Sequence, residues 1–139
     1  MIRFKNLIFF WLPVFIYCFL IFLQSSYLSH KSIPKIPHID ELFHFFGYAF
    51  LGALLLRAFK KAGFINNVKL ILIVSAIAAC LFGISDEIHQ SFVPYREAEI
   101  GDALADVAGG ICGVGFYKLF VIWCQDTNFS WIDKINKFL

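Results

Sequence analysis

A long uncharged segment near the N-terminus is the strongest constraint on this chain, since residues 6–30 contain no Asp, Glu, Lys or Arg. A helix crosses the roughly 30 Å hydrocarbon core of a bilayer with about 20 apolar residues. The basic residues Arg3 and Lys5 also fit a cleaved signal peptide, but the apolar body is longer than usual and no small-x-small site follows it. We therefore expect an uncleaved first span near 7–28, kinked at Pro13.

Three further apolar segments follow, and they predict spans near 41–58, 69–86 and 102–124. The second is short, but Arg57 and Lys60 can extend their charged ends to the interface and lengthen it. Charged residues make up 16% of the chain, against about a quarter in soluble domains. The prediction is a single domain over 1–139, an all-α membrane protein built as a four-transmembrane-helix bundle.

Two weaker patterns complete the predicted fold. Gly109 and Gly113, preceded by Ala105, form a groove of small residues that lets a neighbouring helix approach closely, although ordinary bundle packing is the alternative. In the tail 126–139 apolar residues recur at helical spacing, with Trp131 among them. This tail is predicted to be a short amphipathic helix lying in the interface, with a frayed tail as the alternative.

Composition excludes several classes of function. The net charge is +2 and no basic cluster with interleaved aromatic residues occurs, so nucleic acid is not an expected partner. The cysteines match neither a zinc motif nor a redox pair, and we interpret them as small buried hydrophobic residues; they are Cys18, Cys80, Cys112 and Cys124. No cofactor and no metal are predicted, and the lipid bilayer is the expected partner.

Basic residues predict the orientation. With a cytoplasmic N-terminus, nine Lys and Arg residues lie in cytoplasmic segments and three lie on the other side. In short loops this asymmetry follows the positive-inside rule. Both termini are therefore predicted to be cytoplasmic.

The same topology places eight of the ten acidic residues and all four histidines at the outer face. Ionisable groups at membrane depth usually face the interior of the bundle and find partners there. The outer ends of spans two, three and four are thus predicted to converge on one polar site. Its candidate binding residues are His44, Tyr48, Asp86, Glu87, Gln90, Arg96, Asp102 and Asp106.

Three blocks of residues carry a resemblance to a known family. They share a fixed order and spacing between about residues 40 and 115, and the middle block is the most specific. The blocks are His44-Phe45-x-x-Tyr48-x-x-Leu51-Gly52, Asp86-Glu87-x-x-Gln90-x-Phe92-x-Pro94-x-Arg96 and Asp102-x-x-x-Asp106-x-x-Gly109. Together they resemble the VanZ-like family of small bacterial membrane proteins.

The resemblance implies a multi-pass protein of the bacterial cytoplasmic (inner) membrane with a role at its outer face. The family is named for a protein linked to low-level resistance to the glycopeptide teicoplanin, and no reaction is implied. The chain departs from the family pattern twice. Glu41 stands where a Lys is common, which removes a cation, and Asp106 stands where an Asn is common, which adds an acid.

Individual candidates keep alternative interpretations. His44 and Tyr48 are either a proton-handling or ligand-binding pair or a hydrogen-bonded helix contact. Of the adjacent acids, Asp86 is expected to point inward and Glu87 to solvent. Arg96 is expected either to clamp a phosphate or carboxylate or to form an ion pair with Asp86, Asp102 or Asp106.

Four function classes follow. The first, which we favour, is a non-catalytic cell-envelope protein that binds an anionic lipid, a lipid-linked wall precursor or a partner, and that affects glycopeptide susceptibility. The second is a membrane-embedded enzyme that uses His44 with Asp86 or Asp102 as acid and base on a lipid-linked substrate, with or without a divalent metal. The third is a metal site, and the fourth is a proton or ion pathway. The metal site would be built from His44, Asp86, His89 and Asp102.

Overall fold

The computed structural model describes residues 4–27, 38–94 and 99–126. The helices in these ranges are α1 (Phe4–Tyr27), α2 (Ile39–Ala62), α3 (Val68–Gln90) and α4 (Ile100–Asp126). All four are long and apolar enough to cross a membrane, and the described residues contain no strand. The predicted all-α fold with four transmembrane helices is therefore confirmed. The predicted interfacial helix lies outside the described residues, apart from Asp126 at the end of α4.

A short connection makes α2 and α3 antiparallel neighbours. Gly63 ends α2 in the left-handed region at φ 70°, where glycine avoids the steric penalty of a Cβ. Asn67 then caps α3, since its side chain accepts hydrogen bonds from the backbone N–H groups of Lys69 and Leu70 at 3.0 and 3.3 Å. Residues 63–67 thus reverse the direction of the chain between α2 and α3, at the end of the bundle that carries Lys60 and Lys69.

The closest helix pair is α2 and α4. A Cβ added at Gly109 or Gly113 would overlap the backbone carbonyl oxygens of Phe45 and Ala49 respectively. The two backbones therefore touch, and α2 lies in the groove predicted on α4. This kind of packing holds helices together in lipid, where apolar surface alone provides little driving force. The same backbone contact fixes how close α2 and α4 lie. It therefore also fixes the distance between the side chains just before Phe45 on α2 and those just before Gly109 on α4.

Helix α1 packs mainly on α2 and touches α3 less extensively. Phe10 and Val14 are buried in this contact, and the Tyr17 hydroxyl donates a hydrogen bond to the Gly47 carbonyl at 3.0 Å. At the far end the Arg57 guanidinium lies over the Phe10 ring, 5.2 Å from its centre. Large aromatic and aliphatic side chains remain exposed on the outer sides of all four helices, as expected of a surface that contacts acyl chains.

Candidate functional site

Seven of the eight predicted site residues are described, and they lie where α2 begins, α3 ends and α4 begins. Because these helices alternate in direction, the three ends meet at one end of the bundle. Arg96 and the ion pair predicted for it lie outside the described residues.

The centre of the site is a pair of side chains from α2 and α4. The His44 Nδ1 atom lies 2.9 Å from Asp106 Oδ1, and Asp106 is completely inaccessible to solvent. Asp106 lies three residues before Gly109 on α4, and His44 immediately precedes Phe45 on α2. The close backbone contact between these helices therefore brings the pair into hydrogen-bond range.

Two more carboxylates flank the imidazole. Glu87 Oε1 lies 3.8 Å from His44 Nδ1, and Asp102 Oδ2 lies 3.9 Å from His44 Nε2. Several of the buried acidic oxygens have no hydrogen-bond partner among the described residues. They are both carboxylate oxygens of Glu87, Oδ1 of Asp102 and Oδ2 of Asp106.

The expectation that Glu87 faces solvent is wrong, because Asp86 and Glu87 are 5% and 7% exposed. Successive helix residues point about 100° apart, which separates the two acids onto different sides of α3. Both sides are covered here, since the end of α3 lies between other helices. Asp86 accepts a hydrogen bond from Gln90 Nε2 at 2.9 Å, whereas Glu87 faces His44.

Tyr48 and Gly83 shape the inner wall of the site. The Tyr48 ring is stacked nearly parallel to His44 with centroids 6.5 Å apart, and its hydroxyl is buried without a hydrogen-bond partner among the described residues. A Cβ at Gly83 would lie 2.7 Å from Asp106 Cβ and 3.2 Å from Tyr48 Cε1. Gly83 was not among the residues predicted from the sequence. The available signal was a small residue one turn before the acidic pair of α3.

A small polar cavity of about 70 Å³ opens beside this centre. The sequence did not predict the α1 part of this cavity, because α1 has no charged residue and no histidine in this region and contributed no candidate. Helices α1, α2 and α3 all line the cavity. Its polar lining residues include Tyr17, Gln24, Ser25, His44, Asp86 and Gln90.

An apolar groove of about 340 Å³ lies between α1 and α2. Its walls are almost entirely apolar and include Leu12, Ile16, Phe50 and Leu54. Tyr17 also lines this groove, and so it belongs to the walls of both spaces. The polar cavity and the apolar groove are therefore neighbours along the same face of α1.

The metal set that was considered as an alternative, which includes His89, is not brought together. The His89 Nε2 atom lies 3.0 Å from Ser26 Oγ, and the ring packs against Phe22 at 4.6 Å between ring centres. His89 thus faces α1. Among the described residues, the metal-ligand donors within 4.8 Å of one another are those of His44, Glu87 and Asp106.

The electrostatic balance of the described site is acidic. Three carboxyl groups surround the His44 imidazole and a fourth, Asp86, lies nearby. The described Lys and Arg side chains lie on the other half of the bundle, from Arg57 on α2 to Lys118 on α4. Chemically, the arrangement can accept hydrogen bonds, exchange protons through His44 or coordinate a cation.

Comparison with known proteins identifies the family. The family model VanZ/LLP1 matches residues 3–121, which include α1, α2 and α3 and most of α4. Neither the curated proteins nor the solved structures contain a match to the chain. The family match covers well over half of the chain and every residue of the site. The protein therefore belongs to the VanZ/LLP1 family.

Proposed function

We propose that this protein binds a lipid-linked component of the cell envelope, with the lipid chain in the groove between α1 and α2 and a hydrogen-bonding part of the head group in the small polar cavity. The observation that supports this most strongly is the shared wall at Tyr17. An amphipathic ligand needs an apolar space next to a polar one, and the groove faces the bilayer in which such a ligand dissolves.

The dimensions of the groove suit part of a lipid chain. Its volume of about 340 Å³ is at the lower end of small-molecule sites, which span about 300–1,000 Å³. The Tyr17 hydroxyl donates its hydrogen bond to the Gly47 carbonyl, so the edge of the Tyr17 ring presents apolar surface to the groove. A long chain would therefore occupy the groove in part and continue into the bilayer.

The polar cavity favours a head group that donates hydrogen bonds. Asp86 and His44 lie in its wall beside Gln90, which already donates to Asp86. Sugar hydroxyls or amines would complement such acceptors. A phosphate would meet like charge, so an anionic head group requires a cation between itself and the acids. Within the proposed class, glycan-bearing lipids are thus favoured over simple anionic lipids.

We further propose that the site lies at the outer face of the bacterial cytoplasmic membrane, that both termini are cytoplasmic and that the protein affects susceptibility to teicoplanin-type glycopeptides. The basic asymmetry of nine against three supports the orientation, and the family resemblance supports the phenotype. Terminal reporter fusions test the first part, since an active periplasmic reporter at the C-terminus would contradict it. Inhibitory concentrations with and without overexpression test the second.

Lipid binding is tested on the full chain in nanodiscs, with an uncharged glycosyl diacylglycerol as the glycan lipid and phosphatidylglycerol as competing probes. Replacing Ile16 with Trp fills the groove, and we expect at least tenfold weaker binding of the glycan lipid. Leu119→Trp is the matched control, because Leu119 is also exposed on the apolar surface but lies on α4 away from the groove. Equal binding by both variants, or no preference for the glycan lipid, would reject the proposal.

One observation favours a second candidate, the membrane-embedded enzyme. The 2.9 Å contact with Asp106 orients the His44 ring, and its Nε2 atom faces Asp102 at 3.9 Å. A histidine oriented by a carboxylate is an arrangement suited to general acid–base chemistry. Incubation of the glycan lipid with the protein decides between the candidates. Turnover that is lost in His44→Gln while binding persists indicates an enzyme, whereas binding without any product indicates a binding protein.

A further inference from the structure

Three donors from three different helices converge within the buried centre of the site. His44 comes from α2, Glu87 from α3 and Asp106 from α4, and one donor atom of each lies within 4.8 Å of the others. From this arrangement we infer that His44, Glu87 and Asp106 bind one divalent transition-metal ion of the zinc or manganese type. The inference does not depend on the proposed binding of lipid.

The distances between donors fit a common ion after small movements. Zinc–ligand bonds of about 2.0–2.2 Å place two donors on one ion about 3–4 Å apart. The His44 Nδ1 atom lies 2.9 Å from Asp106 Oδ1 and 3.8 Å from Glu87 Oε1. One imidazole and two carboxylates form a donor set that suits zinc and manganese better than softer ions such as copper(I).

The unpartnered oxygens are a separate reason to expect a bound ion. Glu87 is 7% exposed, and neither of its carboxylate oxygens has a hydrogen-bond partner among the described residues. Asp106 has no solvent exposure, and its Oδ2 atom likewise has no hydrogen-bond partner among the described residues. Buried acceptors are normally paired. An ion between the helices would satisfy the Glu87 carboxylate, which the described protein atoms leave unsatisfied.

The surroundings complete the argument. Asp102 Oδ2 lies 3.9 Å from His44 Nε2, where it can orient the ring from the side opposite to Nδ1. The described basic side chains lie on the other half of the bundle and do not neutralise these acids. Three protein ligands would leave positions on the ion for water or another ligand, as in sites that bind or transform a substrate.

The full chain, purified in detergent and stripped of metal, tests the inference by titration with Zn²⁺ or Mn²⁺ alone. We expect one ion per chain, and at least tenfold weaker binding in Glu87→Gln and in Asp106→Asn. Asp40→Asn is the matched control, because it removes the same charge from an exposed residue at the same end of the bundle. Its affinity should equal that of the unmodified protein.

A spectroscopic measurement on the unmodified protein keeps the test independent of how the variants fold. Bound Mn²⁺ should show electron-spin-echo coupling to an imidazole nitrogen, and His44→Gln should remove it. The absence of stoichiometric binding, the absence of nitrogen coupling, or equal affinities in Asp40→Asn and Glu87→Gln would each overturn the inference. Retention of the glycan lipid by protein that binds no metal would overturn the metal site alone and leave the proposed function standing.

Discussion

The two sides of α2 are packed in different ways. Toward α4, glycines bring backbone against backbone, so that a Cβ at Gly113 would overlap the Ala49 carbonyl. Toward α1, contact is made by larger side chains such as Val14 and Tyr17, and two cavities remain between the helices. The difference separates two tasks, since the tight side holds charged groups at fixed distances and the looser side leaves space for a ligand.

The physical basis of the contrast is the size of the residues. Glycine-rich faces let helices approach until dispersion contacts and weak Cα–H hydrogen bonds form along the backbone. Helix α1 presents mainly Phe, Leu and Ile, and such side chains keep the helix axes further apart. The following substitutions test whether the two sides differ in energy as they differ in geometry, beginning with the largest expected effect.

Substitutions of His44 and of His89 give the sharpest comparison of the two sides. His44→Leu removes the partner of a fully buried Asp106, and we expect a loss of about 3–5 kcal/mol in the free energy of unfolding. His89→Leu removes a half-buried contact with Ser26 at the α1 side and should cost about 0.5–1.5 kcal/mol. Equilibrium unfolding in mixed micelles measures both. Equal losses would show that the two sides do not differ as we describe.

Glycine substitutions on α4 test the backbone contact itself. Gly113→Ala places a methyl group against the Ala49 carbonyl, and we expect about 1–3 kcal/mol of destabilisation from overpacking. Gly115→Ala is the matched control two residues away, because a Cβ there would meet no described atom within 4 Å beyond its own stretch of α4. The control should be neutral or slightly stabilising in the same unfolding experiment. A destabilised Gly115→Ala with an unaffected Gly113→Ala would contradict the packing.

Gly83 is a subtler probe, because a methyl group there presses on Asp106 and Tyr48 and not on a backbone carbonyl. Gly83→Ala should cost about 1–2 kcal/mol from overpacking and should also weaken Mn²⁺ binding by displacing the Asp106 carboxylate from His44. Titration with Mn²⁺ at matched protein stability separates the two effects. Unchanged affinity for Mn²⁺ would show that Gly83 does not help to shape the site.

The smallest effect is expected on the looser side. Tyr17→Phe removes one hydrogen bond to the Gly47 carbonyl, and we expect a loss of about 0.5–1 kcal/mol. Hydrogen–deuterium exchange should then accelerate in α1 while α2 and α4 remain protected. Acceleration spread evenly over all four helices would instead indicate a single cooperative unit.

The four spans could be predicted from the sequence because hydropathy is a local property of each segment. Residue spacing on one helix could be used in the same way. It placed His44 and Tyr48 together on α2, and their rings are stacked in the structure. The three family motifs likewise identified the family before any distance was known, and the predicted ion pair of Arg96 stays a prediction.

The arrangement of the site was decided by tertiary structure alone. Spacing along α3 could not show that Glu87 is buried, because burial there depends on the neighbouring helices. Nor could it assign Asp106 as the partner of His44, or place Tyr17 of an apolar helix in the wall of the cavity. These features depend on distances between helices, and those distances are set where Gly109 meets the backbone of α2.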